Sequence, residues 1–176
     1  PGTGKTTVIR LLGNVYRAMG LLTKGHVVEA DRSTLVGEFI GQTAPKTKAV
    51  IETAKGGILF IDEAYSLARK GISSNDFGLE AIEILLKEMT TPNANLVLMC
   101  AGYPKEMDEF LESNPGLKSR FLHYYEFADY TPAELLQIAD YAASKMDILL
   151  PEATRSLLLQ VFTNAYRSRD KAFGNA

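Results

Sequence analysis

Pro1-Gly2-Thr3-Gly4-Lys5-Thr6-Thr7 is the stretch whose reading decides the fold of this 176-residue chain. Gly4-Lys5-Thr6 matches the close of the pattern Gly-x-x-x-x-Gly-Lys-Ser/Thr, whose first glycine would fall two residues before Pro1. Gly2 and Gly4 leave the backbone free to curl, so that successive N–H groups can line one concavity and hold phosphate oxygens. Lys5 adds positive charge for the outer phosphates, and the Thr6 hydroxyl is placed to ligate Mg2+. This reading requires a helix next, because its N-terminal N–H groups and dipole complete the anion site. Val8, Leu11, Leu12, Val15 and Met19 recur at helical spacing and are expected to be its buried face, with Gly20 ending the run. The candidate ATP-binding set is therefore Pro1, Gly2, Thr3, Gly4, Lys5, Thr6 and Thr7. A plain surface turn at Pro-Gly-Thr-Gly is the competing reading.

A second motif decides between them. In Gly56-Gly57-Ile58-Leu59-Phe60-Ile61-Asp62-Glu63, four consecutive apolar residues follow two glycines, as in a strand buried on both faces of a parallel sheet. Packing does not explain two carboxylates at its end. Ligands of open α/β sheets sit beyond the carboxyl ends of the strands, which puts Asp62 and Glu63 in the crevice that holds a nucleotide. Asp62 is suited to hold Mg2+ opposite Thr6, through water. Glu63 is suited to orient or deprotonate the water that attacks the terminal phosphate. The Asp-Glu pair points to ATP hydrolysis, where a single acid would fit GTPases and kinases as well.

Composition bounds the rest. At 46% hydrophobic, the chain has material for one ordinary domain and part of another. No apolar run approaches the roughly 18 residues that span a bilayer, and the expectation is a soluble, cytoplasmic protein without membrane insertion. The only cysteine, Cys100, lies in the apolar run Leu96–Ala101 and reads as a core residue. A net charge of -2 with interspersed signs lacks the basic stripe of a nucleic-acid surface, so no nucleic-acid partner is expected.

Between the motifs, His26–Ala30 reads as a strand, Asp31-Arg32-Ser33 as a turn, and Pro45–Lys55 as a helix with Val50 and Ile51 inward. Phe39 and Ile40 stand between Gly37 and Gly41. They are either the exposed tip of a mobile loop or two more core residues. Residues 69–78 read as a polar loop, and Leu79, Ile82, Leu85, Leu86 and Met89 as the inner face of a helix. Leu96–Ala101 is expected to be a fully buried strand, with a helix from about Lys105 to Leu111 and a turn at Asn114-Pro115-Gly116. His123–Phe127 has strand character. Thr131-Pro132-Ala133-Glu134 carries the marks of a helix start: a cap, a proline at the first helical position and a capping-box glutamate. Its buried stripe is expected to be Leu135, Ile138, Ala139, Ala142 and Met146. A further helix starts near Pro151 and carries Leu157, Leu158, Val161 and Phe162. The change from alternating strands and helices to helices alone predicts a nucleotide-binding core over 1–130 and a helical unit over 131–176.

With both motifs in view the chain resembles the AAA+ ATPases from end to end. Leu35–Thr47, Gly56–Tyr65, Phe77–Leu86 and Asn114–Arg120 are similar to the group that contains red-type Rubisco activases, stage V sporulation protein K and the ATPases of type VII secretion. The resemblance implies a P-loop NTPase three-layer parallel sheet whose first strand lies outside these residues, followed by part of an all-helical lid. It implies ATP and Mg2+ as cofactors and a homo-oligomeric ring, a hexamer, as the assembly. By position, Phe39-Ile40-Gly41 matches the pore loop that grips a polypeptide in the channel of the ring. Arg120 matches the arginine finger that reaches the neighbouring subunit's ATP, with Lys118 a second candidate. The resemblance departs at Gly102-Tyr103, where the family places a polar sensor. Gly174-Asn175-Ala176 matches the family's lid ending up to the arginine that commonly follows it. With the central strand outside these residues, the 176-residue piece alone is expected to fold poorly and to hydrolyse little ATP.

These readings add up to an ATPase that remodels a protein substrate through the pore of a ring. Two rivals stand beside it. A P-loop kinase of small molecules leaves Glu63 and the Phe39 loop unexplained, and an ATP-dependent assembly scaffold would not thread substrate.

Overall fold

The computed structural model describes residues 2–68, 77–169 and 173–175. Pro1, Ala176 and most of the predicted polar loop, residues 69–76, lie outside the described residues. The chain divides into two compact units, residues 6–125 and residues 1–5 with 126–176.

The larger unit is built on a parallel sheet of β1 (Val27–Ala30), β2 (Ile58–Ile61) and β3 (Val97–Cys100), in the order β1-β2-β3. The register runs Val27 to Ile58 to Val97 and ends with Ala30 to Ile61 to Cys100. β2 pairs on both sides, and all four of its side chains are buried, as its apolar run predicts. Each such burial stabilises by about 1.5–3 kcal/mol. β3 pairs with β2 among the described residues, and its side chains are half-buried where a fully buried strand was expected. On it, burial pushes the Cys100 thiol up to about 12, too high for a reactive thiolate.

Strand alternation sends Leu59 and Ile61 to one face of the sheet and Ile58 and Phe60 to the other. The first face packs on α2 (Arg32–Leu35), α3 (Thr43–Ala54), the 3-10 helix Ala64–Ala68, α4 (Phe77–Met89), α5 (Pro104–Glu112) and α6 (Pro115–Arg120). Its centre is Leu35, Ile51, Ala54, Leu67, Ala81, Ile82 and Leu117. The second face packs on α1 (Lys5–Ala18) through Ile9, Leu12 and Tyr16, with Leu22 beside them. The result is an α/β fold with three parallel strands flanked by helices, followed by the helical unit.

The helix after the phosphate loop forms as predicted, but on a different face. Ile9 and Gly13 are buried, whereas Val8, Leu11, Val15 and Met19 are exposed. Close approach sets the rotation: a Cβ on Gly13 would lie 2.2 Å from the Gly25 carbonyl oxygen, so only the glycine face can meet the sheet.

Other expectations change in detail. Asp31–Ser33 is no turn but the start of α2: Asp31 caps it by accepting from the Thr34 N–H, and the Thr34 hydroxyl accepts from the Asp31 N–H. Hydrogen bonds from Ser33 and Thr34 hold the Asp31 carboxyl below its ordinary value. The Asn114–Gly116 turn is the capped start of α6. In α4 the inward residues include Ile82 and Leu85, but Leu79 faces solvent. His123–Phe127 forms no strand.

The smaller unit pairs α7 (Pro132–Lys145) with α8 (Glu152–Arg167). Thr131 and Glu134 form the predicted capping box. Of the predicted stripe only Leu135 is buried; Ala142 and Met146 are exposed, as are Leu157 and Val161 of α8. Two helices offer each other one contact face and cannot enclose a second. Arg155 and Asp140 join them at 2.8 Å.

Candidate nucleotide site

The smaller unit holds the phosphate loop. Gly2 and Gly4 take φ values of 66° and 78°, the left-handed region that a side chain disfavours, and this curls the backbone as the motif requires. Thr3 is buried between them, and its hydroxyl accepts a long hydrogen bond of 3.4 Å from the Lys5 ammonium. Lys5 is the first residue of α1, so the loop runs directly into 14 residues of helix. Curled glycines, a lysine and a helix N-terminus are a donor set that fits the phosphates of a nucleotide.

Sequence reasoning missed Tyr130. Its hydroxyl donates to the Thr3 carbonyl at 3.1 Å, and a Cβ on Gly4 would lie 2.8 Å from that hydroxyl. The Tyr130 N–H donates to Asn175, which is buried and in turn donates to the Asp129 carboxylate at 3.0 Å. Arg169 closes the cluster on Asp129 at 3.4 Å and stacks over Tyr166 at 3.7 Å. No local pattern announces such a contact between residues 3 and 130.

In the larger unit, Asp62 and Glu63 follow β2 immediately and are both exposed. The Glu63 N–H donates to Asp62 at 3.0 Å, and Glu63 sits at φ 48°, an uncommon conformation for a residue with a side chain. α1 runs against the direction of the strands. Its later residues Gly13 and Arg17 touch Gly25 ahead of β1, while Arg10 pairs with Glu29 near the end of β1 at 2.9 Å. Thr6, one turn before Arg10, therefore lies at the same edge of the sheet as Asp62 and Glu63. A hydroxyl and two carboxylates at the carboxyl edge are groups that fit a hydrated divalent cation shared with phosphates.

Phe39 and Ile40 are 66% and 78% exposed, which settles their alternative in favour of an open loop tip. Gly41, at φ 82° with open space around it, completes the tip. Arg120 is half-buried at the end of α6, where its guanidinium donates to the Gly116 carbonyl of its own helix at 3.1 Å; its Nε is buried without a partner. Lys118 is exposed and pairs loosely with Glu112 at 3.7 Å. Gly102 is a glycine for a packing reason: a Cβ there would meet the Tyr65 ring at 2.7 Å and the Met107 sulfur at 2.8 Å. No polar side chain fits at that position without moving them.

Residues 1–128 match the family described as ATPases associated with various cellular activities, and residues 131–176 match the AAA lid domain. The chain belongs to the AAA ATPase family. It is 55% identical over 139 residues to stage V sporulation protein K of Bacillus subtilis, covering 79% of this chain and 42% of that protein. It is 45% identical to the chromosomal protein CbxX of Cupriavidus necator, over all of this chain and 55% of that one. It is 44% identical to the chloroplastic ribulose bisphosphate carboxylase/oxygenase activase of Cyanidioschyzon merolae, over all of this chain and 59% of that protein. The chain thus spans about half the length of these relatives. Membership of the family implies nucleotide binding. No helix among the described residues is long and apolar enough to cross a membrane.

Proposed function

We propose that this chain is the motor part of a Mg-ATP-hydrolysing protein that assembles as a ring, a hexamer, and remodels a protein client drawn into its pore. The nucleotide-binding core takes residues 1–130 and the lid begins at 131. The loop residues Gly2, Thr3, Gly4, Lys5, Thr6 and Thr7 bind the phosphates, with Pro1 ahead of them. Thr6 and Asp62 hold Mg2+, which supplies charge neutralisation at the transferred phosphoryl group. Glu63 orients the attacking water and accepts its proton. Arg120 acts on the site of the neighbouring subunit, and for that its guanidinium must leave the Gly116 carbonyl. Phe39, Ile40 and Gly41 grip the client. The reading places the protein in the cytoplasm, a compartment supplied with ATP.

The observation that carries this reading is the exposed Phe39-Ile40 pair. Two large apolar side chains left in water, on a short loop between two glycines, serve no purpose in the core of this chain. One relative is named as an activase of an enzyme, which makes a protein the class of client proposed here.

The test is Glu63→Gln in the whole protein. A motor keeps its affinity for ATP and loses turnover by about 100-fold or more. A scaffold that uses ATP only to assemble is unaffected, and a variant that turns over ATP and acts on its client at the parent's rate would overturn the reading.

A further inference from the structure

The loop tip stands on a rigid base, and the base is fastened to the segment that carries Glu63. Around the tip, the Gly37 N–H donates to the Thr43 hydroxyl at 3.0 Å, and the Thr47 hydroxyl to the Leu35 carbonyl at 2.9 Å. The Lys46 ammonium clamps the Ser33 and Val36 carbonyls at 2.6 and 3.0 Å. Thr43 and Thr47 are fully buried, so the ends of α2 and α3 form one hydrogen-bonded block.

That block reaches across 34 residues of sequence through Arg32. Its guanidinium donates to the Ser66 carbonyl at 2.7 Å and to the Leu67 carbonyl at 3.2 Å. These are carbonyls near the C-terminal end of the 3-10 helix, the negative end, where a cation is favoured. The helix begins at the residue after Glu63, and the Ser66 N–H donates back to the Glu63 carbonyl at 2.8 Å. α4 presses on the same junction: a Cβ on Gly78 would lie 2.0 Å from the Leu67 oxygen and 2.6 Å from the Arg32 guanidinium.

We infer that Arg32 is a positioning residue that transmits the state of the Glu63 segment to the Phe39-Ile40 loop. The inference rests on the ATPase reading above and adds to it the residue through which the two sites communicate. A change at Glu63 that turns or shifts the short helix moves the Ser66 and Leu67 carbonyls. Arg32 carries that movement to α2, and the Lys46, Thr43 and Thr47 bonds carry it to the loop as a block. Such a chain of directional bonds between packed elements is a physical route for coupling, and removing one link interrupts it.

Phe39→Trp places a reporter on the tip, in a stretch of 176 residues with no other tryptophan, and the emission of the parent protein with Phe39 is subtracted from it. In the whole protein, its emission is compared with saturating ADP and with a non-hydrolysable ATP analogue. The two are expected to differ, and adding Arg32→Ala is expected to shrink the difference by about fivefold or more while analogue affinity changes by less than about twofold. Arg32→Lys, which keeps a donor for the same carbonyls, restores at least part of it. Lys46→Met breaks the next link without touching the short helix and produces the same loss, which decides the matter if Arg32→Ala does not fold. A reporter difference that survives both Arg32→Ala and Lys46→Met overturns the inference. So does a tip that ignores which nucleotide is bound, although the ATPase reading then stands. A protein that binds neither nucleotide removes the ATPase reading, and this inference with it.

Discussion

The two faces of the sheet were built from equally good helical patterns and came out differently. On one face α4 buries Ala81, Ile82 and Leu85 in a continuous core with α2, α3, α5 and α6. On the other, α1 covers the strands almost alone, burying Ile9 and Gly13 and leaving Leu11 at 60% and Met19 at 65% exposure. The difference teaches that periodicity marks an apolar stripe without saying which stripe will find a partner. α1 has apolar residues on two sides, and the glycine that permits close approach chose between them.

Three substitutions in the whole protein test that account. Ile82→Ala should have the largest effect, a loss of about 2–5 kcal/mol in chemical unfolding, because it opens a cavity where many elements meet. Gly13→Ala should come next at about 1–3 kcal/mol, since its methyl group collides with the backbone at Gly25 and must push α1 off the sheet. A neutral result would mean that α1 does not dock through its glycine. Leu11→Ser should change stability by less than about 0.5 kcal/mol if that stripe meets only water. A loss near that of Ile82→Ala would show another part of the protein covering it, and would make the two faces alike.

The candidate site was legible to different depths. Gly4-Lys5-Thr6 and Asp62-Glu63 announced themselves because phosphate and metal chemistry restrict residue types over a few adjacent positions. The loop at Phe39 announced its glycines but not its exposure. Arg32 looked like one residue of a turn, and nothing in the sequence singled out Tyr130. Each acquires its meaning from carbonyls that lie 34 and 127 residues away in sequence. No local pattern carries a contact between distant backbone oxygens and a single side chain.

The sequence by itself determined the three strands and the longer helices, the burial of β2, the capping box at Thr131 and the membership of an ATPase family. All of these are short-range: a run of β-branched and aliphatic residues, a cap three residues from its partner, a motif within one turn. Only the tertiary structure decided which face of α1 is buried, which residues of α4 and α7 turn inward, and how the loop is tied to the segment after Glu63. Those outcomes depend on whether a neighbour is present to bury a stripe or accept a hydrogen bond, and a neighbour is a property of the folded chain.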